Sequence, residues 1–407
     1  MATIASDGTA DALKVSESQA PNRLTSIDVY RGMVMFLMLA EMLHLSGLAD
    51  AFPTVVAFQW LKFHTTHVPW VGCSLHDLIQ PGFSFLVGAA LPFSIASRQN
   101  KGQSVRLMCV HAAWRSLLLI GLGIFLRSLK YDYTNFTFDD TLTQIGLGYF
   151  FLFLIGLGHR WISYFSIAAI LLGSWAAFSM YPIAETFDYA AVGVGSDWGH
   201  LHEGFQAHWN KNSNLAWAFD TWFMNLFHRP EPFLFSGGGY CTLSFIPTLA
   251  TMLMGLLAGG WLKNIPDVAP RIARFSLAIA FCFLAGWGIA EAGYCPLVKR
   301  LWTPTFALWS GGWCFLFLLI LHVICDLGRF RKWAFPFLVI GANSITSYVM
   351  EWTLAGFIHQ ALYRHLGHGF FEVLGSAYSE TLNRAVTLLL LWLILFWMYR
   401  KKIFIKI

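Results

Sequence analysis

Apolar residues in this chain do not alternate with polar ones, nor do they form stripes at helical spacing. They gather into long, nearly unbroken runs separated by short polar stretches. Each run approaches the roughly 20 residues that an α-helix needs to cross a hydrocarbon core of about 30 Å. Read this way, the chain holds ten spans, at about 24–44, 76–97, 106–127, 140–158, 161–181, 241–262, 271–292, 304–326, 334–356 and 381–400. Residues 1–22 are rich in Ala, Ser, Asp and Thr and carry no apolar run. They lack the basic start and short apolar core of a secretory signal, so they read as a flexible tail and the first run as a retained helix. The pattern predicts an all-α polytopic membrane protein, with about ten transmembrane helices around a central pore, over residues 23–407. The segment at about 182–240 is long and polar, and is expected to form a cap at one end of the bundle.

Composition agrees with this reading. The chain is 57% apolar and 12% charged, with a mean hydropathy of +0.56, against about 45–50% and about 25% in an average soluble domain. That excludes a single soluble core, a disordered chain and a nucleic-acid binder working through a basic surface. The placement of the net charge of +5 matters more than its size. Arg98, Lys101 and Arg106 share one loop, and Arg160 sits in a tight connection. Lys263, Arg271 and Arg274 share another loop, as do Arg329, Arg331 and Lys332, and the end carries Arg400, Lys401, Lys402 and Lys406. With ten spans, all of these fall on one side. Short loops rich in Lys and Arg stay in the cytoplasm, so both termini are expected to be cytoplasmic. Of seven cysteines, Cys109, Cys282, Cys314 and Cys325 lie within apolar runs. Cys73, Cys241 and Cys295 fall near span ends on the other side, where a disulfide is conceivable. There is no CxxC pair, and His200, His202, His208 and Glu203 lack a recognised ligand spacing, so no metal is expected. Gly237, Gly238 and Gly239 are not followed by the Lys-Ser/Thr of a phosphate loop.

The polar residues richest in chemistry cluster between the first two spans, where His64, His67, His76 and Asp77 lie within 14 positions. Ser74 can cap the second span, with Asp77 favouring the positive end of its dipole. Glu41 lies late in the first span, where a carboxylate is costly unless it faces a cavity or a partner; it is expected to face the interior. Asp28 and Arg31, three residues apart, can pair on one helical face.

These residues form part of a larger resemblance. Arg23, Leu24, Ser26, Asp28, Arg31 and Gly32, then His67, Trp70, Gly72, Asp77, Leu78 and Pro81, resemble the opening motifs of the heparan-α-glucosaminide N-acetyltransferase family. Phe83, Phe85, Val87 and Gly88 follow as in that family's second helix. Further on, the resemblance takes in Asn214, Leu215, Ala216 and Asp220; Ser244, Pro247, Gly255, Leu256 and Gly259; Lys299, Leu301, Trp302, Thr303 and Phe306; and Gly341, Asn343, Ser344 and Tyr348. It runs in order along most of the chain. Size points to a member of the bacterial NagX type, in an inner membrane.

The resemblance implies transfer of an acetyl group from cytoplasmic acetyl-CoA to the amine of glucosamine, or of a glucosamine-terminated saccharide, on the far side of the membrane. It makes His67 the catalytic residue, with Glu41 and Asp77 as its candidate assistants. Arg31, Lys299, Trp302, Thr303 and Asn343 are the candidates for the CoA site. His44, His64, Trp70 and Asp220 are those for the sugar. The family often carries an Asn late in the first span, where this chain reads Leu39, Ala40, Glu41, Met42, Leu43, His44; Glu41 or His44 would have to substitute. A homodimer in contact with membrane lipid, and no nucleic-acid partner, are further expectations. Direct attack by the amine, with His67 as base, and prior acetylation of His67 both remain open. So do two other functions: an O-acetyltransferase acting on polysaccharide and an amino-sugar transporter.

Overall fold

A computed structural model describes residues 24–184 and 186–405. The expected tail at 1–22, and Arg23 of the first motif, lie outside the described residues. In chain order the α-helices are α1 (Thr25–Ala40), α2 (Leu45–Ala51), α3 (Val56–Thr65), α4 (Ile79–Asn100), α5 (Val105–Ser128), α6 (Thr141–Gly156), α7 (Arg160–Ser179) and α8 (Leu215–Phe223). They continue with α9 (Phe245–Asn264), α10 (Val268–Glu291), α11 (Pro304–Leu321), α12 (Phe335–Ala342), α13 (Ser344–Thr353), α14 (Ala355–Leu366), α15 (His368–Phe371) and α16 (Ser379–Arg400).

Among the described residues, seven helical segments are long and apolar enough to cross a membrane, and two bent pairs bring the number to nine. One bent pair joins Thr25–Leu43 to Leu45–Ala51 at 43°, and the other joins Lys332–Ala342 to Ser344–Thr353 at 68°. The apolar α6, at 16 residues, is shorter, about 24 Å long by helical rise. The chain is an all-helical polytopic membrane protein, and its crossing helices lie where the apolar runs predicted them.

Helix starts follow local chemistry. The Ser104 hydroxyl accepts from Leu107 N at the head of α5, and Asp140 accepts from Leu142 N and Thr143 N at the head of α6. Asn214 does the same for α8, and Thr303, followed by Pro304, starts α11. These side chains satisfy backbone donors that have no partner within the helix.

At the centre, α4 and α9 touch backbone to backbone. A Cβ placed on Gly88 would overlap Met252 O, one on Gly255 would overlap Phe85 O, and one on Gly259 would overlap Ala89 O. Small residues four apart allow this approach, which in lipid replaces the hydrophobic drive available in water. A second seam joins α1 to α12, where Gly32 abuts Phe337 O and Gly341 abuts Asp28 O. Between these seams lies a cavity of about 1210 Å³, walled by α1, α4, α5, α6, α12, α13 and the segment after α16. All seven cysteines are free thiols, so the conceivable disulfide is not formed. Burial pushes the Cys73 and Cys241 thiols up, and that of Cys295 to about 11.

Candidate active site

Three loops meet at one end of the bundle. The stretch after α3 is joined to the turn between α10 and α11 by a β-bridge between Val71 and Val298 and by Gly72 N donating to Leu297 O at 2.9 Å. Arg300 ties the same turn to Gly238 O and to Val68 O. Trp70 Nε1 donates to Trp209 O at 3.2 Å, which anchors the loop to the segment between α7 and α9. The turn itself is tight: Trp302 N donates to Lys299 O at 2.8 Å, Thr303 N donates to Val298 O at 3.1 Å, and Trp302 sits at φ 53°.

The welded loops bring His67, Asp77 and Lys299 together. His67 Nδ1 is 2.8 Å from Asp77 Oδ1. Lys299 Nζ is 3.4 Å from the same carboxylate oxygen, 3.0 Å from His67 Nδ1 and 3.4 Å from Nε2. The other carboxylate oxygen accepts from Ser74 N at 3.0 Å and Val68 N at 3.3 Å, with Ser74 Oγ also at 3.0 Å. Asp77 N in turn donates to Ser74 Oγ at 3.3 Å, so Ser74 and Asp77 form a reciprocal cap at the entry to α4. Asp77 is thus held on both oxygens and is 1% exposed at its side chain, whereas His67 is 34% exposed. A carboxylate at Nδ1 favours the ring proton there, which makes Nε2 the candidate base. Burial pushes the Lys299 ammonium below its usual range, with Asp77 pulling the other way. The lysine expected at the CoA site therefore stands against the histidine.

His76 packs against His67 with ring centroids 4.3 Å apart and planes tilted by 53°, and its Nε2 is 3.5 Å from Glu41 Oε2. Glu41 lies in the 3₁₀ turn Glu41–Leu43 after α1. Its side chain is 55% exposed, so it opens outward rather than facing the interior. Tyr240 closes the opposite flank, its ring centroid 5.9 Å from Lys299 Nζ and 6.5 Å from the His67 ring. Burial pushes its phenol up to about 12, with Arg300 pulling it down. His76 belongs to the cluster read from the sequence, whereas Tyr240 follows three glycines and nothing in its spacing marks it as a neighbour of His67.

The other expected site residues sit elsewhere. His44 is exposed at φ 52°, where it ends the 3₁₀ turn. His64 Nδ1 accepts from Leu75 N at 3.3 Å and its ring packs on Trp60, so it braces the His67 loop. Trp70 is buried in packing. Asp220 is buried too: one oxygen accepts from Thr242 N at 2.9 Å, and the other has no hydrogen-bond partner among the described residues, beside a water-sized pocket lined by Asn212, Asn214 and Tyr240. Burial pushes this carboxyl up to about 6 against the pull of Thr242. Buried Trp302 donates from Nε1 to Thr251 Oγ1 at 3.1 Å, and Thr303 caps α11, so both brace the turn that carries Lys299. Asn343 is wholly buried at the break between α12 and α13.

Of the expected CoA residues, Arg31 alone lines the large cavity, 3.2 Å from Asp28. Arg115, Arg400 and Lys402 join it there. The lining reaches Phe83 on α4 and Thr141 on α6, toward the end where His67 sits. Phe83 is six residues past Asp77, about 9 Å along the axis.

No family model matches the chain. It is 24% identical to human heparan-α-glucosaminide N-acetyltransferase, over 96% of this chain and 61% of that protein. It is 23% identical to the mouse protein of the same name, over 98% of this chain and 62% of that one. The chain is similar to both proteins over almost all of its own length. It spans about three fifths of the length of the curated relatives it matches.

Proposed function

We propose that this protein is a transmembrane N-acetyltransferase that moves the acetyl group of acetyl-CoA to the amine of glucosamine, or of a glucosamine-terminated saccharide. The observation that carries the reading is the pairing of two sites: a partly exposed His67 fixed through Nδ1 by a buried carboxylate at one end of the bundle, and a cavity with three arginines and a lysine in its wall whose lining reaches toward that end. The names of the relatives supply the amino-sugar acceptor.

The cavity exceeds the roughly 300–1,000 Å³ of a drug-sized pocket. Arg31, Arg115, Arg400 and Lys402 suit the phosphates of a nucleotide, and the apolar middle suits a neutral arm. Positive-inside bias puts the basic end in the cytoplasm, with the donor's acetyl group carried outward past Phe83. A glucosamine amine is largely protonated at neutral pH, and only the free amine attacks. His67 Nε2 takes the ammonium proton. That first proton passes on to water; the neutral nitrogen adds to the acetyl carbon, gives up a second proton to Nε2 as the amide forms and the carbon–sulfur bond breaks, and this second proton leaves with the CoA thiolate. Base catalysis of this kind contributes about 10²–10⁴-fold, and holding both reactants in attack geometry about 7–11 kcal/mol.

Purified full-length protein, given acetyl-CoA and glucosamine, is expected to release free CoA thiol and to form N-acetylglucosamine. His67→Ala is expected to lower kcat by about 10²–10⁴ with little change in thermal stability, because the ring is partly exposed. Thiol release that needs a hydroxyl acceptor would identify an O-acetyltransferase. Uptake of glucosamine into vesicles without thiol release would identify a transporter. A His67→Ala variant that keeps most of its turnover would remove His67 from the chemistry.

A further inference from the structure

The chain that follows α16 folds back into the wall of the large cavity. α16 ends in a reverse turn in which Ile403 N donates to Met398 O at 2.9 Å and Lys402 N donates to Tyr399 O at 3.1 Å. This is the two-bond C-terminal motif whose left-handed position normally holds glycine. Here Lys402 occupies it at φ 58°, a conformation that strains a residue carrying a Cβ. Lys402 lines the cavity together with Tyr399, Arg400, Phe404 and Ile405.

The segment is pinned from one side. Asn343 Nδ2 donates to Ile403 O at 3.0 Å, and Ile405 N donates to Asn343 Oδ1 at 3.1 Å. The amide grips two residues of the segment, Ile403 and Ile405, through their main-chain groups. Asn343 can do this because the helix breaks there, at φ −130° and ψ 44°. Its helical neighbours Gly341, Ala342, Ser344 and Ile345 line the cavity while it does not. A strained lysine and a buried amide that holds the residues after it act on the same short segment, and it places Lys402 in the cavity wall beside Arg400, in the lining that Arg31 and Arg115 share.

We infer that Asn343 is a positioning residue for the donor, acting through segment 401–405, and that this segment supplies part of the phosphate-binding wall of the cavity. The inference rests on the proposed use of acetyl-CoA. Asn343→Ala frees the segment, and Lys402→Gly keeps its path while removing the cation. Binding of CoA to full-length protein in neutral-lipid nanodiscs, against pantetheine as the phosphate-free probe, separates the effects. Both variants are expected to weaken CoA binding, and to raise the KM for acetyl-CoA, by about tenfold, with kcat within twofold and pantetheine binding unchanged. Lys402→Gly is also expected to raise the melting temperature, because glycine suits the left-handed position; a purely structural lysine would not combine gained stability with lost affinity. Asn343→Ala is expected to speed amide exchange across residues 401–405. If wild type binds CoA and both variants bind it equally well, the inference is wrong while the functional reading stands. If wild type binds no CoA, the functional reading fails and this inference falls with it.

Discussion

Asp77→Asn separates the two jobs given to one carboxylate. One oxygen faces Val68 N and Ser74 N, two backbone donors fixed by the entry into α4. The amide oxygen of an asparagine must take that side, because an amide nitrogen there would meet two N–H groups. The NH₂ group then points at His67 Nδ1 and donates to it. The ring proton moves to Nε2, and the base disappears. Activity should fall by about 10²–10⁴ in kcat, the usual share of a general base. The same change strands Lys299, whose side chain is 6% exposed and whose ion-pair partner among the described residues is Asp77. Breaking a buried pair from one side costs about 3–5 kcal/mol. Adding Lys299→Met to Asp77→Asn removes the stranded charge and should restore most of the stability, with no return of turnover. Thiol release measures the first effect and thermal unfolding the second. A folded Asp77→Asn protein that keeps its kcat within threefold would refute the tautomer argument. A double variant no more stable than the single would refute the charge argument.

Other outcomes follow from the same geometry. The Asp220 carboxyl, pushed up to about 6 from an ordinary 3.8, favours the protonated folded state. Its contribution to stability is complete below about pH 3.8 and is lost as the pH rises through about 6, a difference of roughly 3 kcal/mol. Asp220→Asn should flatten the pH dependence of unfolding across that window, and an unchanged slope would show the group to be solvated. Gly255→Ala puts a methyl group into the Phe85 carbonyl. Overpacking of this kind costs about 1–3 kcal/mol, so the variant should melt lower and lose monodispersity in detergent, whereas Gly260→Ala, which meets open space, should not.

The spans were legible because a membrane imposes a length, and runs of about 20 apolar residues have few other uses. The break at Asn343 was not, since a single amide in an apolar run does not announce a 68° bend. His67 and Asp77, ten positions apart, could be read as one cluster. Lys299 could not be placed beside them, because 232 residues separate it from His67 and the contact depends on a bridge between two loops with no shared periodicity. Glu41 was assigned to the interior on the cost of a charge in lipid. The α-helix gives way to a 3₁₀ turn at Glu41, whose carboxylate meets His76 at 3.5 Å. Trp302 and Thr303 sat in the right motif for a reason their identities hide: they shape the turn, and Lys299 occupies it.

The seam between α4 and α9 also decides which parts of the molecule can breathe. Where main chains abut at Gly88, Gly255 and Gly259, no layer of side chains remains to slide, so the two helices form a keel. On the proposed function, any widening of the cavity for a bulky donor falls to the opposite bank, where α12 and α13 meet at an angle and the segment after α16 hangs from one amide. The cavity would then open as a door does, hung on one side only.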